Sequence, residues 1–233
     1  MKTCRRPGSS AALAAARRRV FIVDDHPITR YGLTQLLNGE PDLCVCGESA
    51  EAQQALAAIK PPLPDLVVAD VAMPGKSVIE FLKDLRAFHP GVPVLILSTH
   101  EESIYAERLI RAGARGYIMK SEGGANLLKA IRLVLQGQPY LSAAMSAHMF
   151  EALGGRRAAM GEATLGKLTD REFEVFQLLG EGKTNREVAK QLCLSPKTVE
   201  THRLNLCRKL NCKTPPQLIR YAVEYERGGI PVQ

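Results

Sequence analysis

A short, unbroken apolar run that ends in an acidic residue limits the fold of this chain more than any other feature. Leu66–Ala69 contains no polar residue and leads directly into Asp70, with prolines nearby on both sides. Such a run predicts a β-strand that is buried on both faces, as in a parallel sheet. Open α/β sheets bind their ligands beyond the carboxyl ends of the strands, so Asp70 is predicted to lie at that edge.

A second apolar run ends in the same way, because Val20–Val23 leads into Asp24 and Asp25. If the two strands are neighbours in one sheet, three carboxylates meet in a small volume, and their repulsion raises their pKa values. A cation relieves that repulsion. Mg²⁺ fits, since it prefers oxygen ligands and no histidine or cysteine ligand set accompanies the acids. The residues alone leave open a second interpretation, in which these acids are helix caps or solvated strand ends.

Strand-like and helix-like segments alternate between residues 20 and 137. The predicted strands are 20–23, 43–46, 66–70, 92–97 and 115–119. The predicted helices are 27–38, 50–59, 77–88, 101–112 and 126–135. This alternation predicts an α/β domain with a five-stranded, doubly wound parallel sheet.

A different pattern begins after residues 138–165, which are predicted to be a linker. No strand pattern follows, and four helices are predicted within residues 166–229. The first begins after Thr169, with Glu172 positioned to complete a capping box. The third begins after Ser195, with Pro196 in its first turn. An all-α, four-helix domain is therefore predicted for the C-terminal part of the chain.

Charge is distributed unevenly along the sequence. The net charge of +7 divides into +6 for residues 1–19, −3 for residues 20–165 and +4 for residues 166–233. An acidic body followed by a basic C-terminal domain predicts that only the latter meets a polyanion. Residues 1–19 are predicted to be a disordered basic tail, or to precede the true start of the protein. The six scattered cysteines predict free thiols, and no apolar run is long enough to span a membrane.

The order of the motifs in residues 20–137 resembles the receiver domain of a two-component response regulator. The matching positions are Val23-Asp24-Asp25, Asp70, Met73-Pro74-Gly75, Ser98, Tyr117 and Lys120. The resemblance implies a flavodoxin-like fold and a phosphoacceptor, Asp70, that takes a phosphoryl group from a sensor histidine kinase. One position departs from the family pattern. Val78 stands where receivers usually have glycine, so the loop after Asp70 is expected to differ in shape.

The resemblance also implies a metal site around the phosphoacceptor. Asp25, Asp70 and the backbone carbonyl of Ala72 would hold Mg²⁺, and Asp24 would orient its water ligands. The ammonium group of Lys120, together with the ion, would screen the charge of the transferred phosphoryl group.

Two further residues are implied to carry a conformational switch. The Ser98 hydroxyl would bond a phosphoryl oxygen, and Tyr117 would then rotate inward, changing the surface of the fourth helix, fifth strand and fifth helix. In the unphosphorylated state the receiver would mask the recognition helix or the dimer face. Phosphorylation of Asp70 would release it.

The C-terminal domain resembles the LuxR-type helix-turn-helix domain, and the two domains together are typical of NarL/FixJ-type response regulators. The matching stretches are 168–172, 181–189, 194–202 and 208–210. The third helix is implied to enter the major groove, and residues 197–213 contain five basic residues and one acid. The residues assigned to DNA are Lys197, Glu200 and Thr201 at base edges, and Thr198, Arg203 and Arg208 at the backbone.

The resemblance implies a cytoplasmic, phosphorylation-switched transcriptional regulator that is not an enzyme. Its implied partners are a sensor histidine kinase, double-stranded DNA with an inverted repeat, and a second copy of the chain, but not a membrane. Leu218, Tyr221 and Ala222 are candidates for the homodimer contact. An aspartyl-phosphate hydrolase is disfavoured, because Ala72 stands where such enzymes place a second acid. A regulator that works without phosphorylation is an alternative that the sequence leaves open.

Overall fold

The computed structural model describes residues 17–71, 73–99, 102–143, 145–147 and 165–226. Five parallel strands form one sheet in the order β2-β1-β3-β4-β5. They are β1 (Arg18–Val23), β2 (Leu43–Ser49), β3 (Leu66–Ala69), β4 (Val94–Ser98) and β5 (Gly116–Met119). The predicted doubly wound sheet is confirmed. The strand order reverses between β1 and β3, which places the acids that follow these two strands side by side.

Helices cover both faces of this sheet. They are α1 (Pro27–Asn38), α2 (Ala52–Ala58), α3 (Val78–Phe88), α4 (Glu102–Ala112) and α5 (Gly123–Leu135). Helices α1 and α5 pack on one face, whereas α2, α3 and α4 pack on the other. Both faces of β3 are therefore buried, as its unbroken apolar run requires.

Two ends of this domain differ from the sequence-based boundaries. Strand β1 begins at Arg18, two residues earlier than predicted, because Arg18 and Arg19 pair with the first residues of β2. Asp65 also accepts hydrogen bonds from the Arg19 backbone N–H and the Arg18 guanidinium. The start of the predicted linker is attached to the sheet, since Tyr140 pairs with Gly116 at the edge of β5. Residues 1–16 of the predicted tail and 148–164 of the predicted linker lie outside the described residues.

The C-terminal domain consists of helices in its described part, as predicted. They are α6 (Asp170–Gly180), α7 (Asn185–Gln191), α8 (Pro196–Lys209) and α9 (Pro215–Glu226). The predicted capping box of Thr169 and Glu172 is present, and the Ser195 hydroxyl accepts a hydrogen bond from the Thr198 backbone N–H. Helix α6 packs between α8 and α9. This arrangement holds α8 on the outside of the domain.

Two of the composition-based predictions can be compared with the described part of the chain. No helix within it is long and apolar enough to cross a bilayer. Its cysteines are free thiols, as expected from their scattered spacing, and these are Cys44, Cys46, Cys193, Cys207 and Cys212.

Two glycine substitutions should change the free energy of unfolding in opposite directions. The one in β5 tests the register of that strand, and the one in α1 is its control. A Cβ atom at Gly116 would lie 2.9 Å from the Tyr140 carbonyl oxygen and 3.0 Å from Leu95 Cδ1. Because that carbonyl is held by the Tyr117 N–H, we expect Gly116→Ala to lower the free energy of unfolding by about 1–3 kcal/mol in urea titrations. Gly32→Ala in α1 should raise the free energy of unfolding by about 0.5–1 kcal/mol, since no atom of the described residues lies within 4 Å of the added Cβ atom. Equal effects would contradict the register.

Candidate functional site

Acidic side chains and one lysine meet at the carboxyl edge of the sheet. Asp24 and Asp70 follow the adjacent strands β1 and β3, and both are almost fully buried, with exposures of 1% and 3%. Lys120 follows β5, and its Nζ lies 2.7 Å from Asp24 Oδ2 and 2.8 Å from Asp70 Oδ2. The lysine is the counter-ion of two carboxylates that burial would otherwise make costly to ionise.

The protonation states within this cluster depend on one another. Burial raises the pKa of Asp70, and the Asp24 charge acts in the same direction, while Lys120 acts against both. Burial lowers the pKa of Lys120, but its hydrogen bonds to the two carboxylates outweigh burial, so that the pKa is raised. The Val71 backbone N–H donates to Asp70 Oδ1 at 2.7 Å. One oxygen of Asp70 is therefore held by the following loop and the other by Lys120.

Asp25 and His26 extend the cluster into a set of groups that fits a hard cation. One potential ligand atom from each of Asp24, Asp25, His26 and Asp70 lies within 4.8 Å of the others. Asp25 Oδ1 is buried without a well-aligned hydrogen bond in the described chain, although His26 Nδ1 lies 2.7 Å away. An orphaned carboxylate oxygen beside two further carboxylates is the kind of donor set that hard cations occupy.

The metal site predicted from the sequence differs from the observed cluster at one residue, and one of its predicted ligands is not described. His26 was missed, although its place directly after Asp25 is a signal, and the expectation that no histidine accompanies the acids is wrong. Ala72, whose backbone carbonyl is a predicted ligand, lies outside the described residues.

Ser98 and Tyr117 lie on the neighbouring strands β4 and β5. Both side chains are buried, and they share a hydrogen bond. Burial also raises the pKa of the Tyr117 phenol, so it stays protonated. The inward position predicted for Tyr117 after phosphorylation is already filled in this conformation.

The loop after Asp70 makes its turn without a glycine at position 78. Gly75 has a φ of +82°, which supplies the left-handed residue of the turn. Ser77 then caps α3, with its hydroxyl accepting from the Ile79 N–H at 3.1 Å. Val78 is the first residue of α3, where its side chain is buried. The valine therefore contributes to the core, and the turn comes before it.

Helix α8 carries most of the predicted DNA contacts on its surface. The exposed residues among them are Lys197, Thr198, Glu200, Thr201 and Arg208. Arg203 is half-buried instead, and it donates to Asn185 Oδ1 at 2.5 Å, which ties α8 to α7. Leu204 was not predicted as a contact, yet it is 63% exposed in the middle of the outward face. Apolar periodicity could not identify it, because a leucine is expected on the inner side of a helix.

The residues predicted for the dimer contact point into the domain's own core, and that prediction is wrong. Leu218, Tyr221 and Ala222 are buried, and the Tyr221 ring packs edge-to-face on Phe176 with centroids 5.6 Å apart. Their spacing of three and four residues forms the stripe by which α9 packs on α6. Ile219 lies on the exposed side of α9.

Arg108 on α4 joins the two domains. Its guanidinium lies 4.2 Å from the ring centroid of Phe173 on α6, a cation–π geometry. It also donates to the backbone carbonyls of Leu165 and Leu168 and lies 3.5 Å from Asp170 Oδ1. One side chain thus contacts both the segment before α6 and the first turns of that helix.

A second contact joins the phosphoacceptor-side loop to the C-terminal domain. The Gly75 N–H donates to the Gln191 carbonyl at the end of α7 at 3.1 Å. Lys83 on α3 pairs with Asp170 at 2.6 Å, and the Tyr105 and Phe173 rings pack edge-to-face. The sheet domain therefore docks on α6 and α7. Within the described residues the outward face of α8 stays exposed. Of the two predicted forms of masking, that of the recognition helix is therefore not found, and that of the dimer face stays a prediction.

Known proteins match the chain over both domains. Residues 20–132 match the family described as response regulator receiver domain, and residues 166–222 match bacterial regulatory proteins of the luxR family. DNA-binding transcriptional activator DevR/DosR of Mycobacterium tuberculosis is 35% identical, over 91% of this chain and 97% of its own length. Response regulator GacA of Pseudomonas viridiflava is 33% identical, over 89% and 96%.

A solved structure shares the fold. RcsB from Salmonella enterica serovar Typhimurium, solved bound to a promoter, gives a TM-score of 0.62 over 89% of this chain and 98% of that chain. Its sequence identity is 24%, so the similarity extends to the fold alone.

Removal of the buried ammonium group should destabilise the fold in a pH-dependent way. We expect Lys120→Met to lower the free energy of unfolding by about 3–5 kcal/mol near neutral pH, since two buried carboxylates lose their counter-ion. The folded-state pKa of Asp70 is already raised and rises further without Lys120. The folded state then binds more protons than the unfolded state, so stability returns as the pH falls from neutral toward the unfolded-state pKa of 3.8.

The matched control is Lys129→Met, which removes an exposed lysine from α5. It should leave the urea midpoint nearly unchanged across the same pH range. A Lys120→Met variant as stable as the wild type at neutral pH would contradict the role of Lys120 as counter-ion.

Proposed function

The chain belongs to the two-component response regulators that join a receiver domain to a LuxR-type DNA-binding domain, and we propose that phosphorylation of Asp70 controls its binding to DNA. It is a DNA-binding transcriptional regulator rather than an enzyme. The observation that carries the proposal is the buried Asp24–Lys120–Asp70 cluster, which adjoins a loop bonded to the DNA-binding domain. A cytoplasmic location and a sensor histidine kinase as the phosphoryl source are part of the proposal.

The proposed reaction transfers a phosphoryl group from the histidine of the kinase to Asp70. A carboxylate oxygen of Asp70 attacks phosphorus, the P–N bond breaks, and the leaving ring nitrogen takes a proton. Lys120 is already 2.8 Å from Asp70 Oδ2, and its raised pKa keeps it charged. Its ammonium group therefore offsets the negative charge that builds up on the transferring oxygens.

Mg²⁺ is the cation that we propose for the acidic cluster. Asp24, Asp25 and Asp70 supply carboxylate oxygens, and Asp25 Oδ1 has no well-aligned hydrogen bond among the described residues, with the His26 ring as its neighbour at 2.7 Å. When bound, Mg²⁺ supplies positive charge beside the phosphoryl oxygens. The Ala72 carbonyl remains a predicted fourth oxygen ligand.

We propose that the added phosphoryl group loosens the docked DNA-binding domain. It brings nearly two negative charges to a buried site, and Ser98 exchanges its bond to Tyr117 for one to a phosphoryl oxygen. The loop after Asp70 is bonded to α7 through Gly75, so a shift of that loop acts directly on the interface. The contacts of Lys83, Tyr105 and Arg108 with α6 would then remain to hold the docked arrangement.

Helix α8 is proposed to enter the major groove of double-stranded DNA once the domain is free to orient. Two copies would bind an inverted repeat as a homodimer, and the outward side of α9 around Ile219 is available for their contact. The excess of basic residues in 197–213 requires an affinity that falls steeply as salt rises. Affinity that is independent of salt would argue against DNA as the partner.

Phosphoryl labelling tests the acceptor residue. With radiolabelled acetyl phosphate and Mg²⁺, we expect base-labile label on the wild-type chain and none on Asp70→Asn, because the amide lacks the nucleophilic oxygen. Chelation of the metal should slow the labelling of the wild type. Asp42→Asn, which changes an acid at the opposite edge of the sheet, is the control and should label normally. Equal labelling of Asp70→Asn would contradict the assignment.

Two arginines of α4 provide a matched test of the docked interface. Arg108→Ala removes the interdomain contact, whereas Arg111→Ala removes a largely exposed side chain that pairs with Glu107 on the same helix. If docking restrains the unphosphorylated chain, Arg108→Ala should raise its affinity for selected DNA about two- to thirtyfold, the range of a cation–π contact. Arg111→Ala should leave it unchanged. Fluorescence anisotropy that records a loss or no change for Arg108→Ala would rule out restraint by docking.

A further inference from the structure

Leu204 is the centre of the outward face of α8. It is 63% exposed, and it follows Thr201 by three residues and precedes Arg208 by four, which places all three on one side of the helix. The buried residues Val199 and Leu206 lie on the opposite side. The leucine is therefore not part of the domain's core, although residues of its type usually are.

We propose that Leu204 reads the C5 methyl group of a thymine in the major groove. This inference rests on the proposed DNA-binding function and adds a specificity-determining residue to it. The other residues exposed on the same face are Lys197, Glu200, Thr201 and Arg208. Each of these can hydrogen-bond to a base edge or a phosphate, whereas a leucine can do neither. The apolar group that base edges present in the major groove is the thymine methyl, so that is what Leu204 can bind favourably.

Helix geometry gives the position of this thymine relative to the other contacts. A rise of about 1.5 Å per residue separates Leu204 from Lys197 by about 10 Å along the helix axis, which spans at most about three base pairs. Glu200, one turn before Leu204, can accept a hydrogen bond from the amino group of a cytosine. The site read by one copy is therefore expected to contain a thymine at most about two base pairs from the base read by Glu200.

The charge around Leu204 favours DNA over a protein as its partner. Single exposed leucines are common on protein surfaces and need no function. This one lies within residues 197–213, which carry five basic residues and one acid. Burial of the leucine against a protein would also bury Lys197 and Arg208, which are exposed on the same face of α8, whereas DNA would neutralise them while the methyl contact forms. The arrangement therefore assigns Leu204 to the surface of a base pair.

Selection of DNA from a random library tests the assignment. The full-length chain, treated with a phosphoryl donor, should enrich a motif with one strongly preferred thymine in each half-site. Leu204→Ala should lose the preference at that position and keep it elsewhere. Leu204→Met should retain it, because an apolar side chain of similar size remains. Leu63→Ala, which truncates an exposed leucine of the receiver domain, is the control and should select the wild-type motif.

Removal of one methyl group then measures the contact itself. Deoxyuridine lacks the C5 methyl group of thymine. In place of the selected thymine it should weaken binding of the wild type about three- to fivefold, which is the effect of losing the burial of one methyl group. It should have no effect on Leu204→Ala, and 5-methylcytosine at the same position should retain part of the apolar contact. Because Leu204 is exposed, Leu204→Ala and Leu204→Met should melt at the temperature of the wild type. Equal melting temperatures separate loss of the contact from loss of the fold.

The outcomes distinguish this inference from the function on which it rests. Identical motifs for the wild type and Leu204→Ala, or an equal effect of deoxyuridine on both, would overturn the assignment of Leu204 and leave DNA binding intact. A chain that retains no DNA from the library would overturn both proposals. Loss of self-association in Leu204→Ala with an unchanged motif would identify the leucine as a contact between copies and would also overturn the assignment.

Discussion

The contact of the Lys120 ammonium with two enclosed carboxylates is the interaction on which the rest of the receiver domain depends. Asp24 and Asp70 come from the ends of β1 and β3, while Lys120 comes from the end of β5. These residues meet only when the strands take the observed order, so the ion cluster and the fold require each other. The same cluster leaves Asp25 Oδ1 without a well-aligned hydrogen bond among the described residues. A site that holds buried carboxylates and an ammonium group together is suited to binding a cation and an anionic phosphoryl group.

The position of that cluster connects it physically to the second domain. Asp70 leads into a loop whose Gly75 bonds to the end of α7, and α4 beyond the next strand carries the arginine that contacts α6. Neither contact covers the outward face of α8. We therefore interpret the docked arrangement as a restraint on the orientation of the DNA-binding domain. It does not cover the recognition helix of that domain. A restraint of this kind can be released by a small shift of one loop.

Much of the fold could be predicted from the sequence because local signals agree with the final structure. The apolar run before Asp70 required a buried strand, and Thr169 with Glu172 marked the start of α6 as the capping box that forms. The convergence of the acids followed from the geometry of parallel strands. The contact of Arg108 with Phe173 could not be predicted, since it joins residues far apart in the sequence and depends on how two domains dock. The prediction of dimer residues in α9 was wrong. In a small domain the apolar stripe of a helix packs into the core of that domain, so it is not free to contact a second copy.

Amide hydrogen exchange at Gly75 is the measurement that tests the central claim most directly, because this N–H bonds to the second domain. Beryllofluoride serves as a stable substitute for the phosphoryl group. We predict slow exchange at Gly75 in the untreated chain and faster exchange after addition of beryllofluoride and Mg²⁺, with no acceleration in Asp70→Asn. Unchanged protection of Gly75 in a chain whose DNA affinity does respond to beryllofluoride would contradict this prediction.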